Sequence, residues 1–178
     1  MAFTGPWFWA FLAATGWAAC TAIVGTRRPG RNLRFTIPAF LLAEVPRVIL
    51  PLPFVTQPRI DLPSPVLITV GTVVFAASLV FGTPVFRIVP LTAPASQEPL
   101  RTGGLYSVVR HPLMLCDLLW PLGWSLIFGS VIGVALAPAW LLVIWTLTLV
   151  EEEALLREYG DAYREFQARV PRLFPRRL

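Results

Sequence analysis

The chain has 178 residues, of which 56% are hydrophobic and only 14% charged, with a mean hydropathy of +0.66. A water-soluble domain of this size carries about a quarter charged residues, so an ordinary soluble enzyme is excluded. The formal charge of +5 comes from fifteen arginines with no lysine. These lie between apolar blocks and not along one face, so they make no nucleic-acid surface and read as topology signals.

Met1 to Thr26, Leu62 to Phe86 and Leu118 to Val150 contain no charged side chain. The expected fold class is therefore all-α: a polytopic membrane helix bundle of about five transmembrane helices with a C-terminal amphipathic cytoplasmic helix. The chain forms a single integral membrane domain. Residues 1–89 supply three spans and residues 90–178 a loop, a terminal helical hairpin and a tail.

The first span runs from about Pro6 to Gly25. Trp17-Ala18-Ala19-Cys20 imitates a lipoprotein cleavage site, but no positive charge precedes the block and Trp17 is too large for such a site. Thr26 to Arg34 then supplies four arginines. The second span, about Phe35 to Phe54, is interrupted by Pro38, Pro46, Pro51 and Pro53 and is expected to kink or break. It carries Glu44 and Arg47 three residues apart on one helical face, either as a structural ion pair near the outer surface or as part of a polar substrate path. The third span covers about Pro65 to Phe86, followed by a linker to Arg110. The last two form a hairpin: about Pro112 to Phe128, a turn near Gly129 to Gly133, and a helix through Val150 that continues to Tyr159.

Four arginines in the first connection, three in the third and six in the tail place these segments on one side. The positive-inside rule then puts the N-terminus outside and the C-terminus in the cytoplasm. Arginine-only usage and eighteen prolines suggest a bacterial origin, hence an inner membrane. Cys20 and Cys116 sit in apolar stretches and are expected to be buried thiols without a disulfide. With His111 the one histidine, no metal site is expected.

Forty residues separate His111 from Glu151, roughly one helix up and one back at about 1.5 Å per residue. The imidazole should therefore meet the Glu151-Glu152-Glu153 cluster at one membrane boundary. Pro112 pre-sets a helix's first turn and places His111 at its start, where backbone amides favour an anion. Upstream, Gly103 and Gly104 permit close backbone approach to a ligand, and Tyr106 offers a ring and a hydroxyl, either to a ligand or as an interfacial anchor. Three successive glutamates are a poor membrane-boundary marker, so a cationic ligand or Arg110 should compensate them. Beyond them Leu155, Leu156, Tyr159, Tyr163, Phe166 and Val170 recur at spacings of three and four. They form an amphipathic helix, broken near Gly160, that serves as a surface anchor or folds over the hairpin mouth.

Gly104-Leu105-Tyr106-Ser107-Val108-Val109-Arg110-His111-Pro112, Glu151-Glu152-Glu153-Ala154-Leu155, Tyr159-Gly160-Asp161-Ala162-Tyr163 and Val170-Pro171-Arg172-Leu173-Phe174-Pro175 occur in an order that resembles the isoprenylcysteine carboxyl methyltransferase and phospholipid methyltransferase superfamily. The resemblance covers about the last eighty residues. It implies a membrane-embedded methyltransferase that uses S-adenosylmethionine, acts on a lipid or lipophilic small-molecule acceptor among membrane lipids, and needs no nucleic acid. It also implies cofactor contacts from Gly104, Tyr106, Arg110, His111, Pro112, Glu151 and Glu152. Glu152 becomes the residue expected to position substrate or take a proton, and Arg172 the one expected to grip an anionic group; both are the catalytic candidates. The family often has tyrosine where Met114 stands here. Two alternatives remain: a nicotinamide-dependent reductase related to sterol reductases, which share the terminal hairpin, and a non-catalytic binding module of the same fold.

Overall fold

The computed structural model describes residues 5–25, 33–88 and 99–174. The arginine-rich connection after the first span, most of the linker before Leu100, and Pro175, Arg176 and Arg177 lie outside the described residues. The described chain is helical: α1 (Pro6–Gly25), α2 (Leu33–Ile49), α3 (Ser64–Ile88), a 3-10 turn (Gly104–Ser107), α4 (Pro112–Ile127), α5 (Val131–Ala135), α6 (Ala137–Tyr159) and α7 (Asp161–Arg169). It contains no strand among the described residues beyond one antiparallel bridge between Arg59 and Ser130.

Two of these helical stretches, residues 64–82 and 131–159, are long and apolar enough to cross a membrane, and Pro112–Ile127 is a shorter apolar helix. Large apolar side chains point outward along them and their neighbours: Phe11, Phe40, Val73, Val80 and Leu142 are all exposed. A soluble monomer rarely shows so much contiguous apolar surface.

Helix α2 stops at Ile49, earlier than Phe54. A residue before proline is pushed out of the helical region, so Pro51 and Pro53 terminate the helix while Pro38 and Pro46 are carried inside it. The turn expected at Gly129 to Gly133 is shorter, because Ser130 caps the N-terminus of α5, its Oγ accepting a hydrogen bond from Gly133 N at 2.9 Å. Ser130 Oγ also donates to Gln57 Oε1 at 2.6 Å, and the Arg59 guanidinium donates to the carbonyls of Pro51, Leu52, Val55 and Phe128. One cation thus ties the α2–α3 connection to the end of α4.

Helix α3 packs mainly on α4, and α1 on α2. The α3–α4 crossing depends on two facing glycines. A methyl at Gly71 would lie 2.6 Å from Ile127 N, and one at Gly123 would lie 2.5 Å from Phe75 N, closer than real contacts allow. Small residues of this kind let apolar helices approach when water supplies no driving force between them.

An ion cluster is buried between α2 and α4. Arg47 donates to Glu44 Oε1 at 2.9 Å, to Asp117 Oδ1 at 3.1 Å and to the Asp117 carbonyl at 2.5 Å. Its guanidinium stacks at 5.2–5.7 Å from the rings of Trp17, Trp120 and Trp140. The Glu44–Arg47 pair is thus a structural ion pair that joins α2 to α4, with Arg47 only 3% exposed. Cys116 is buried, Cys20 is half-buried, and both are free thiols.

Removing Arg47 leaves two carboxylates uncompensated in an apolar interior. Arg47→Ala should cost about 3–5 kcal/mol of stability. Arg47→Met combined with Glu44→Gln and Asp117→Asn should recover most of it, as read by unfolding titrations in detergent.

Candidate active site

Pro112 opens α4 at its first helical position, and His111 is the N-cap residue with φ −125° and ψ 64°. This non-helical backbone marks the point at which the chain enters α4. Helix α6 returns antiparallel, delivering Glu151 and Glu152 to the same end. His111 Nε2 lies 3.2 Å from Glu152 Oε1 and its Nδ1 lies 3.4 Å from Glu151 Oε2.

Glu152, 3% exposed, is the hub of a larger network. Arg110 donates from Nε to Glu152 Oε1 at 2.9 Å, with its Nη2 at 2.8 Å from the same oxygen. Arg172 donates from Nε to Oε1 at 3.1 Å and from Nη2 to Oε2 at 2.6 Å, the paired geometry in which a guanidinium grips a carboxylate most strongly. Gln167 Nε2 donates to Oε2 at 3.1 Å. Arg110 Nη1 also donates to the carbonyls of Gln167 and Val170, at 2.9 and 2.7 Å, and the Arg172 guanidinium lies 4.7 Å from the centre of the Trp145 ring.

The backbone completes the join. Arg110 N donates to the Pro171 carbonyl at 2.9 Å and His111 N to the Arg172 carbonyl at 3.1 Å. The segment after α7 therefore lies along the entry to α4, satisfying amides that would otherwise be orphaned at a helix start.

Helix α7 turns back at Gly160 and presents Tyr163 and Phe166 inward. Together with Val170 they form an apolar cluster, against which Leu100, Tyr106, Leu155, Leu156 and Tyr159 pack. Between this cluster and the ion network lies a cavity of about 240 Å³. Its walls carry the carboxylates Glu151 and Glu158, the basic side chains Arg101, Arg110 and His111, and the rings of Tyr106, Tyr159, Tyr163 and Phe166.

The structure brings Tyr106, Arg110, His111, Pro112 and Glu151 to this one wall. Glu152 and Arg172 stand behind it, paired to each other. Gly104 is not among the residues that line the cavity; its φ of 63° is one that side-chain-bearing residues rarely adopt, so the turn before Tyr106 favours glycine there. Two residues were not singled out from the sequence. Gln167, four residues after Tyr163, follows the helical spacing that also places Tyr163 and Phe166. Asp117 is a lone carboxylate in an apolar helix, a position that by itself marks a partnered group.

Burial would depress the His111 imidazole, but hydrogen bonds to Glu151 and Glu152 and their negative charge outweigh it and hold its pKa above the ordinary value. The two carboxylates thus favour the protonated ring over the neutral one.

A family model for phospholipid methyltransferase matches residues 66–162, more than half of the sequence. The chain belongs to the phospholipid methyltransferase family. It is 31% identical over 77 residues to the protein-S-isoprenylcysteine O-methyltransferase of Schizosaccharomyces pombe, covering 43% of this chain and 33% of that protein. Over 83 residues it is 37% identical to methanethiol S-methyltransferase 2 of Bradyrhizobium diazoefficiens, covering 46% and 30%. Over 87 residues it is 37% identical to a Delta(14)-sterol reductase of Mus musculus, covering 46% and 20%. The chain spans a third or less of the length of these curated relatives. No solved structure matches it. Membership of this family, together with the two long apolar helices, marks a membrane protein.

Two outcomes follow from the network. Glu152→Gln removes the anion that Arg110, His111 and Arg172 share, and should cost about 3–5 kcal/mol, seen as a lower unfolding temperature and as exposure of α7 to limited proteolysis. Because the folded-state pKa of His111 is raised, its pairing stabilises fully below the unfolded value of about 6.5. That stability is lost as pH rises through the folded value. Unfolding temperature should fall across this window in the parent, and His111→Gln should flatten the dependence.

Proposed function

We propose that the chain is a membrane methyltransferase that moves a methyl group from S-adenosylmethionine to a lipid or other lipophilic acceptor. The observation that carries this is the mixed wall of the cavity beside the Arg110–His111–Glu152 network. When bound, S-adenosylmethionine supplies an electrophilic methyl group on a sulfonium, and it also bears an ammonium, a carboxylate and a purine. The donor set fits such a ligand: Glu151 and Glu158 for its cationic groups, Arg101 and His111 for its carboxylate, and the rings of Tyr106, Tyr159 and Phe166 for its flat apolar part.

In this reading the residues behind the wall act by positioning. Glu152 and Arg172 fix the Arg110 guanidinium and the His111 ring, while Glu151 faces the ligand. His111, held between Glu151 and Glu152, orients an anionic group and takes no proton in this reading. The chain supplies alignment and a water-poor enclosure, and no covalent enzyme intermediate is needed.

Five crossings with a cytoplasmic C-terminus suit this arrangement. They set the cavity at the side where a water-soluble donor arrives, while a lipophilic acceptor enters laterally from the bilayer. Residues 1–89 then shape the acceptor side and residues 90–178 the donor side.

The match to a sterol reductase favours a second reading, reduction by NADPH. That cofactor carries several negative charges, yet this wall presents two carboxylates, and its Arg110 is already committed to Glu152 and two carbonyls. Thermal unfolding of the purified protein should rise with S-adenosylhomocysteine and not with NADPH; the reverse overturns the assignment. Glu151→Gln should weaken S-adenosylmethionine binding by about 10–100-fold, the scale of one charge-assisted hydrogen bond. Mass spectrometry of lipid extracts made with and without the active protein should reveal an acceptor heavier by one methylene.

A further inference from the structure

Tyr163 lies on α7 and is 1% exposed, yet it reaches the cavity wall. Its ring sits 5.9 Å from that of Phe166 at an interplanar angle of 54°, inside the apolar cluster of α6 and α7. Its hydroxyl is buried and meets no hydrogen-bonding partner among the described residues. A buried phenol normally finds an acceptor, because leaving it unmade costs the full desolvation of the group. Phenylalanine would fill the same space without that cost. The neighbouring polar groups do not relieve it: Glu152 is saturated by Arg110, His111, Gln167 and Arg172.

We infer that the Tyr163 hydroxyl is a ligand-recognition group, donating a hydrogen bond to a neutral acceptor, a ring nitrogen or a ribose oxygen, on the adenosine part of the methyl donor. This rests on the methyl-donor reading above. The placement follows from the rings around it: Tyr106, Tyr159 and Phe166 pack in one cluster with Leu155 and Tyr163 and also line the cavity, a surface of the kind that takes a flat purine. Burial holds the phenol pKa above its ordinary value, and the Glu152 charge adds to this, so the oxygen keeps its proton and donates.

The test is Tyr163→Phe in the full chain in detergent, with two probes: S-adenosylhomocysteine and 5′-methylthioadenosine, which lacks the amino acid end. Without ligand, the unfolding temperature of the variant should equal or exceed that of the parent, since an unpaired polar atom has been removed. The Kd for both probes should rise by on the order of tenfold, the scale of one lost hydrogen bond. A lower ligand-free unfolding temperature with unchanged Kd values would show that the hydroxyl serves the fold, and would overturn the inference. A loss confined to S-adenosylhomocysteine would place the contact at the amino acid end and overturn the adenosine assignment. If the parent binds neither probe, the methyl-donor reading itself fails and this inference fails with it.

Discussion

The Glu152 carboxylate is the group on which the architecture at this end of the helical hairpin depends. It accepts from Arg110 and His111 at the entry to α4, from Gln167 on α7 and from Arg172 beyond it, while being carried on α6 itself. Four separate stretches of chain converge on two oxygen atoms. A buried carboxylate is tolerated only when paired and hydrogen-bonded, so the four can satisfy it only by coming together. The same convergence shapes the adjoining cavity. The charged network forms one side and the apolar cluster of α6 and α7 the other, which is why both signs of charge and several rings meet in one small volume.

The Arg47 cluster performs the corresponding task within the apolar body. It joins α2 to α4, with indoles from α1, α4 and α6 stacked on the guanidinium. Asp117 and His111 are six residues apart on or at the start of α4, so the two networks are separated by about 9 Å of helix rise. One helix is held at its start by the first network and near its middle by the second. A rigid α4 keeps His111 in register with α6.

Much of this was legible in the amino-acid order. The span-and-return distance from His111 to Glu151 is a length argument, and length is preserved whatever the helices pack against. Pro112 and the glutamates therefore located the ends of the hairpin correctly, and the three- and four-residue recurrence from Leu155 to Val170 anticipated which side chains of α7 turn inward. What periodicity could not show was how the charges divide their labour. Glu151 and Glu152 are adjacent in the chain but lie about 100° apart on a helix of 3.6 residues per turn, so one faces the cavity and the other is locked behind it. The sequence likewise paired Glu44 with Arg47 by spacing alone, since Asp117 lies seventy positions beyond Arg47 and is joined to it only by the fold. The stop of α2 at Ile49 was inherent in Pro51, but four prolines close together left open which would bend the helix and which would end it.

The join between residues 170–173 and the start of α4 has a consequence for biogenesis. The carbonyls of Pro171 and Arg172 dock on amides that leave the ribosome some sixty residues earlier. The membrane-inserted helices must therefore wait, with one helix start unfinished and Glu152 short of a counter-ion, until translation reaches this stretch. Closure of the chamber is thus a post-insertion event, and an unfinished nascent chain would be anchored in the bilayer well before it became competent.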